Sequence, residues 1–375
     1  MKIGVDIRTL SFDQRSGVGN YVFHTLQDVL AQDKVNIYYL FSAGLKKLTL
    51  PESLKQKNVV HLHIPWPNKI LNLALLFNLL KDFTSFSPVS LDVFWLPNLN
   101  FFRINDVTPL ILTVHDLSFL HSRHFYSLKM KWWHALVNIK QLINRADQVI
   151  AVSLHTKRDI MRFFTVREEK LKVIYPSLHT HRMTQALAEE LTKDLQLNKK
   201  FFLYLGTVEP RKNIRSIIKA FDLYHQDYPD IDLLLVGNKG WLYNPLFRLL
   251  KKRDYIRYVG FVAGKKRDAL YFLSLGLIWP SFYEGFGFPP LEATVQAKPV
   301  IISYKTSLPE IMKDQALYVD PYNPAEIYQL LKQLTTDKNL EQYIINKTKG
   351  FVIPDKAQQT QTIINLFKNA HRFRS

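Results

Sequence analysis

Two glutamates, Glu284 and Glu292, bracket Gly285-Phe286-Gly287-Phe288 and the pair Pro289-Pro290 in the stretch SFYEGFGFPPLEA (281–293). Glycine lets the backbone take positive φ and come close to a ligand. Proline suits the first turn of a helix, where its missing N–H costs nothing. The stretch therefore reads as a turn running into a helix, with Glu292 in the first helical turn. A helix N-terminus presents main-chain N–H groups to an anion, and two carboxylates beside it present acceptors to hydroxyls. A sugar or ribose joined to phosphate meets both demands. The plainer alternative is that Glu292 complements the helix dipole and Glu284 faces water.

Other residues point the same way. In LGTVEPRKNI an apolar strand ends at Gly206, and Arg211 with Lys212 opens a helix. Cations placed there reach a diphosphate that the Gly287 turn also faces. Gly17 and Gly19 in RSGVGNY follow the first strand and open a helix, as a phosphate-approach loop does, although any strand-to-helix turn could use them. His115 ends the apolar strand PLILTV beside Asp116. The one Asp-x-Asp pair that could suggest a metal, Asp230 and Asp232, precedes a strand at the end away from such sites, so no metal is expected.

The elements that must position these residues alternate along the whole chain. Strand candidates are KIGVDI, VNIYYLF, VVHLHI, LDVFWLP, PLILTVHD, QVIAVS and KVIYPS, then KFFLYLG, DLLLVG, IRYVGFV, GLIWPS, KPVIIS and ALYVD. Near-continuous apolar strands separated by amphipathic helices imply parallel sheets covered on both faces. A polar, strandless segment near 177–199 marks a boundary. The expected organisation is a first Rossmann-like domain over 1–180, a linker over 181–198, a second Rossmann-like domain over 199–353 and a final helix within 354–375, with a return to the first domain as one option. Ligands of open α/β sheets sit outside the strand C-termini, and two such domains would leave a cleft there.

The 375-residue chain is 47% hydrophobic and 22% charged, which suits folded domains and not disorder. It has no cysteine, which removes disulfides and thiol chemistry. A cytoplasmic location fits. The net charge of +18 is spread over both halves and draws the chain to polyanions. No signal peptide is read at the N-terminus, and the longest apolar run, ILNLALLFNLL, falls well short of a bilayer crossing.

The segment EGFGFPPLE resembles the Glu-x7-Glu motif of the retaining family 4 glycosyltransferases. Similarity extends through KPVIISYKTSLPEI, DQALYVDPYNP, LGTVEPRKNI, HDLSF and SGVGNYV. The PRKN and GVGNY variants resemble mannosyltransferases of bacterial surface polysaccharide assembly. The resemblance implies a GT-B fold, two Rossmann-like domains facing a cleft, and hexose transfer from a nucleotide-sugar donor without a metal or other cofactor. It implies Arg211 and Lys212 on the donor diphosphate, with Gly206 and the Gly285-Phe286-Gly287-Phe288 turn close by. By the same carry-over Glu284 takes hydroxyls of the transferred sugar, Glu292 the ribose, His115 the sugar near the scissile bond, and Gly17 and Gly19 the donor phosphate. GDP-mannose is the expected donor, with a UDP-sugar as the other option. The chain departs from the family at Ala297, where glycine is common, and lacks an acid often found before the LSLGLIWP strand.

The expected acceptor is a glycan or a lipid-diphosphate-linked oligosaccharide. LKMKWWHALVNIK (128–140), with Lys129, Lys131, Lys140, Trp132 and Trp133, could be a helix at an anionic membrane surface, or its tryptophans could pack on the sheet. Two rival functions are a GT-B nucleotide-sugar epimerase or hydrolase and a non-enzymatic polyanion binder. No helix-turn-helix, zinc finger or aromatic RNA-binding motif supports nucleic-acid binding.

Overall fold

The computed structural model describes residues 1–11, 17–77, 79–80, 82–349 and 355–372. Each of the thirteen strand-like runs forms a strand. In the first half these are β1 Lys2–Asp6, β2 Ile37–Ala43, β3 Val59–Ile64, β4 Val93–Leu96, β5 Leu110–Val114, β6 Gln148–Ala151 and β7 Leu171–Val173. In the second they are β8 Lys200–Leu205, β9 Ile231–Val236, β10 Ile256–Gly260, β11 Leu277–Trp279, β12 Val300–Ser303 and β13 Leu317–Val319. The first sheet has the order β3-β2-β1-β4-β5-β6-β7 and the second β10-β9-β8-β11-β12-β13. Every strand pairing among the described residues is parallel. The central strands are buried on both sides: all residues of β4 to β6 and of β11 and β12 are buried. Both sheets are thus the doubly wound, Rossmann-like kind.

In each sheet the winding direction reverses once, between β1 and β4 and between β8 and β11. At such a reversal the connections leave to opposite faces and open a crevice at the strand C-termini. The loops after β8 and β11 carry Arg211, Lys212 and Glu284.

The chain divides into two compact units: Met1–Leu117 with Lys129–Ser177 and Pro354–Ser375, and Ser118–Leu128 with Leu178–Ile353. In the first unit the last helix, Lys356–Arg372, packs Phe367 against Tyr38 and Trp95. Its Lys356 pairs with buried Asp28 at 2.7 Å. In the second unit the helix Gln185–Thr192, inside the segment read as a linker, packs Ala188 with Met183 and Ala269.

Two local details differ from the sequence reading. The helix read over 128–140 is two helices, Leu128–Val137 and Ile139–Arg145. Asn138 breaks it at φ 48°, and its side chain accepts from the Gln141 amide, a conformation asparagine tolerates better than most residues. Glu292 also lies one turn deeper than expected. Its helix, Phe288–Val295, starts after Gly287, and no acid falls in the first turn.

Candidate active site at the strand exits of the second unit

β8 leaves the sheet through Gly206 because only a glycine fits there. A Cβ at that position would lie 2.4 Å from the Trp279 ring, which stacks on Tyr204. The chain then makes a single tight turn, Pro210–Lys212, before the helix Ile214–Asp227. Arg211 and Lys212 therefore lie in the turn ahead of the helix and not in it. Asn213, at φ 57°, fastens this turn, its amide donating to the Pro280 carbonyl at 3.0 Å and the Pro321 carbonyl at 2.6 Å. The Phe282 amide donates to the Arg211 carbonyl at 2.9 Å, which ties the loop after β11 to the same turn.

These tethers bring four charged side chains together. Lys212 Nζ donates to both oxygens of Glu284, at 2.7 and 2.8 Å, and lies 4.7 Å above the Trp279 ring. Arg211 donates to the Tyr283 carbonyl at 2.8 Å, approaches Glu284 at 3.4 Å, and meets Glu209 at 2.6 Å. Glu209, Lys212 and Glu284 are all buried. Burial alone would push the Glu284 carboxyl up, but Lys212 and Arg211 outweigh it and hold the group below the ordinary carboxylate range. For Glu209 burial prevails over Arg211 and Lys212, and its carboxyl rises. Burial and the neighbouring Arg211 push the Lys212 ammonium down, against the pull of Glu284 and Glu209.

The Glu284 backbone is held as tightly as its side chain. Its amide donates to Thr306 Oγ1 at 2.9 Å, while Ser307 Oγ donates to the Glu284 and Phe286 carbonyls at 3.0 Å. Gly287 takes φ 112°, and a Cβ there would meet Leu308 at 2.8 Å. Phe286 is buried against Phe288, with Gly285 buried beside it. The turn thus delivers the helix N-terminus to the same strand exit as the charged quartet.

Glu292 joins a second group. One oxygen pairs with Arg267 at 2.9 Å, and the other accepts from the Tyr271 hydroxyl at 2.8 Å. Burial raises its carboxyl in spite of Arg267 and Tyr271. Asp230 and Asp232 lie at the N-terminal end of β9, away from the exits that hold the quartet, and Asp232 faces Lys199 at 3.5 Å. Among the described residues no group of three or more His, Cys, Asp or Glu is placed to hold a metal.

In the first unit, His115 follows β5. Its Nε2 lies 2.9 Å from the Pro97 carbonyl, and its ring stands edge-on to Tyr21 at 4.6 Å. A carbonyl only accepts, so Nε2 carries the hydrogen and Nδ1 is left as an acceptor. Burial lowers its pKa against the opposing effects of Pro97 and Asp116, so the ring is neutral at pH 7. Tyr21 belongs to the helix Gly17–Gln32, so His115 and the helix opened by Gly17 and Gly19 share one contact network. Gly17 starts that helix with open space where a Cβ would point, and Gly19 is buried. Arg15 and Ser16 of RSGVGNY lie outside the described residues.

The sequence reading missed Glu209, Asn213, Trp279, Arg267 and Tyr271. Glu209 stands two residues before Arg211 and looks like an ordinary turn acid. Arg267 sits in the charge run GKKRD and looks solvated. No local pattern marks either as buried.

A profile described as Glycosyltransferase Family 4 matches residues 15–182, and one described as Glycosyl transferases group 1 matches 188–351. The chain is 31% identical over 232 residues to O-antigen chain mannosyltransferase B of Escherichia coli, covering 59% of this chain and 60% of that one. It is 30% identical over 216 residues to O-antigen chain mannosyltransferase RfbU of Salmonella typhimurium, covering 56% of each. These matches span less than two thirds of either relative. Among solved structures, HepE of Anabaena in complex with UDP-glucose superposes with a TM-score of 0.74 at 16% identity, over 98% of this chain and all of the other. Sucrose-phosphate synthase of Thermosynechococcus elongatus gives 0.74 at 16% identity, over 98% of both.

Proposed function

The chain belongs to the GT-B glycosyltransferases of family 4, and from that premise we propose that it moves a hexose from a nucleotide-sugar donor to a glycan or lipid-linked oligosaccharide, retaining anomeric configuration. Mannose from GDP-mannose is the favoured donor, after the two mannosyltransferase relatives. The observation that carries this reading is the quartet Glu209, Arg211, Lys212 and Glu284, all but Arg211 buried, at the β8/β11 switch point beside the Gly287 turn.

As the bond to the departing nucleotide breaks, negative charge builds on the diphosphate. Arg211 and Lys212 are fixed where they stabilise it, and preorganised charge in a buried site is worth far more than in water. No metal is needed for that task when two cations perform it. Glu284, kept ionised by Lys212, accepts hydroxyl hydrogen bonds from the transferred sugar. Glu292 holds the ribose, with Arg267 and Tyr271 fixing its orientation. His115 offers Nδ1 to a sugar hydroxyl. Gly17 and Gly19, with Gly206 and Gly285 to Phe288, let backbone approach the donor.

We assign the work to the cytoplasmic face of a membrane. No described helix is long and apolar enough to cross one. Trp133 leans on Phe101, but Trp132 is 70% exposed and Leu136 44%. On the helix Asn68–Leu76 the buried face is Leu71, Ala74 and Leu75, while Ile70 and Leu73 stay exposed, as does Phe77 just beyond it. The first carries Lys129 and Lys131, the second Lys69, and neither has an acid, the pattern of a surface that meets anionic lipid.

The test is a screen of nucleotide sugars for thermal stabilisation, then product analysis with and without a lipid-diphosphate-linked acceptor. Transfer that requires the acceptor supports the reading. Release of free sugar or an epimer at the same rate without acceptor would replace it with the hydrolase or epimerase. Flotation with anionic liposomes, weakened in Trp132→Glu, supports the membrane assignment; equal flotation on neutral lipid defeats it.

A further inference from the structure

Within the quartet the two carboxylates are not equivalent. Glu284 is held by Lys212 through two hydrogen bonds and by Arg211 at 3.4 Å. Glu209 has the single Arg211 contact at 2.6 Å, and only 3% of its side chain is exposed. With all four groups ionised the cluster is neutral, two cations against two anions. A nucleotide sugar bound to Arg211 and Lys212 adds two further negative charges, one on each phosphate. Four anions would then face two cations in a space largely closed to water, where uncompensated charge is expensive.

We propose that Glu209 takes up one proton from solvent when the donor diphosphate binds, and releases it when the nucleoside diphosphate leaves. This deepens the glycosyltransferase reading and rests on it. The proton adds to the Glu209 carboxylate, which becomes a neutral acid, and frees Arg211 to face the diphosphate in full. Glu284 stays ionised on Lys212. The charged groups facing Glu209 are Arg211 and Lys212 of its own turn and Glu284 of the loop after β11. The other titratable neighbour is Tyr204 of β8, whose hydroxyl burial raises well above its usual range, with Glu209 and Glu284 adding to the rise. From the loop after β9 comes Gly240, where an added Cβ would sit 3.3 Å from that of Glu209. Glu209 thus acts through Arg211 as a positioning residue, and burial has already moved its carboxyl toward the range where uptake occurs.

The experiment is titration calorimetry of the full chain with GDP-mannose, and in parallel with UDP-glucose, in buffers of different ionisation enthalpy between pH 6 and 8. Neither ligand has a phosphate that titrates in that range, so a buffer-dependent heat reports the protein. Uptake approaching about one proton per donor is expected, with affinity weakening up to about tenfold per pH unit where Glu209 is ionised in the free protein. In Glu209→Gln the uptake vanishes and the variant binds at pH 8 at least as tightly as the parent, because the amide imitates the neutral acid. Glu209→Asp keeps the uptake. A merely structural role predicts instead that Glu209→Gln binds more weakly at every pH, and that result overturns the proposal. Donor binding without buffer dependence, or uptake that survives in Glu209→Gln, also overturns it while leaving the glycosyltransferase reading intact. Failure of both nucleotide sugars to bind removes that reading and the inference with it.

Discussion

Replacing Glu284 with glutamine removes a charge and little volume, so it isolates the electrostatic work of this acid. In the parent both oxygens accept from Lys212 Nζ, at 2.7 and 2.8 Å, with Arg211 at 3.4 Å. Glutamine keeps one acceptor and turns an NH2 toward the ammonium, leaving Arg211 and Lys212 balanced only by Glu209. Removing one partner of a buried pair costs about 3–5 kcal/mol; with one acceptor kept, about 2–3 kcal/mol is expected. For a domain of this size that lowers Tm by roughly 4–12 °C at about 2–4 °C per kcal/mol. A bound diphosphate returns the missing negative charge, so nucleoside diphosphate should restore more of the Tm in the variant than it adds to the parent. Turnover should behave differently. A hydrogen bond to a charged acceptor contributes about 1.5–3 kcal/mol, so kcat should fall roughly 10- to 100-fold. Donor KM should hold or fall. The assay is steady-state transfer with donor varied at saturating acceptor, alongside thermal shift with and without GDP. A kcat within twofold of the parent, or a loss confined to KM, would rule out this role for Glu284.

Glu292→Gln should raise donor KM about 10-fold or more with a smaller change in kcat, read in the same kinetics, since its role is to hold the ribose. Gly287→Ala combines φ 112° with a 2.8 Å clash against Leu308, so it should cost about 1–3 kcal/mol by denaturant unfolding and displace Glu284 enough to abolish most transfer. Ala297 sits at φ 56°, where glycine is at ease, so Ala297→Gly should stabilise the fold by up to about 1 kcal/mol without altering kcat. Because the His115 pKa is depressed in the fold, the unfolded chain binds a proton that the native one refuses. Its share of stability is therefore full above the unfolded value near 6.5 and declines as pH falls toward the folded value, by up to about 1.4 kcal/mol per unit. His115→Gln should flatten that part of the Tm–pH curve.

All thirteen strands and both sheets could be read from the chain because alternation of apolar runs with amphipathic helices is a local property, written in neighbouring residues. So was the turn at Gly287 and the proline-led helix behind it. The broken helix at Asn138 was not, since a single asparagine is compatible with either a continuous helix or a left-handed cap. Glycine expected at 297 found its explanation only in the backbone, where the alanine present takes positive φ.

What tertiary structure alone decided is which charges meet. Lys212 reaches Glu284, 72 positions further along the chain, and Arg267 meets Glu292 from a different helix. Whether an acid such as Glu209 is solvated or buried depends on which loops close over it, and whether Trp132 packs or stands exposed depends on what lies across from its helix. Charge pairing and desolvation act through space between segments remote in sequence, so no run of neighbouring residues records them.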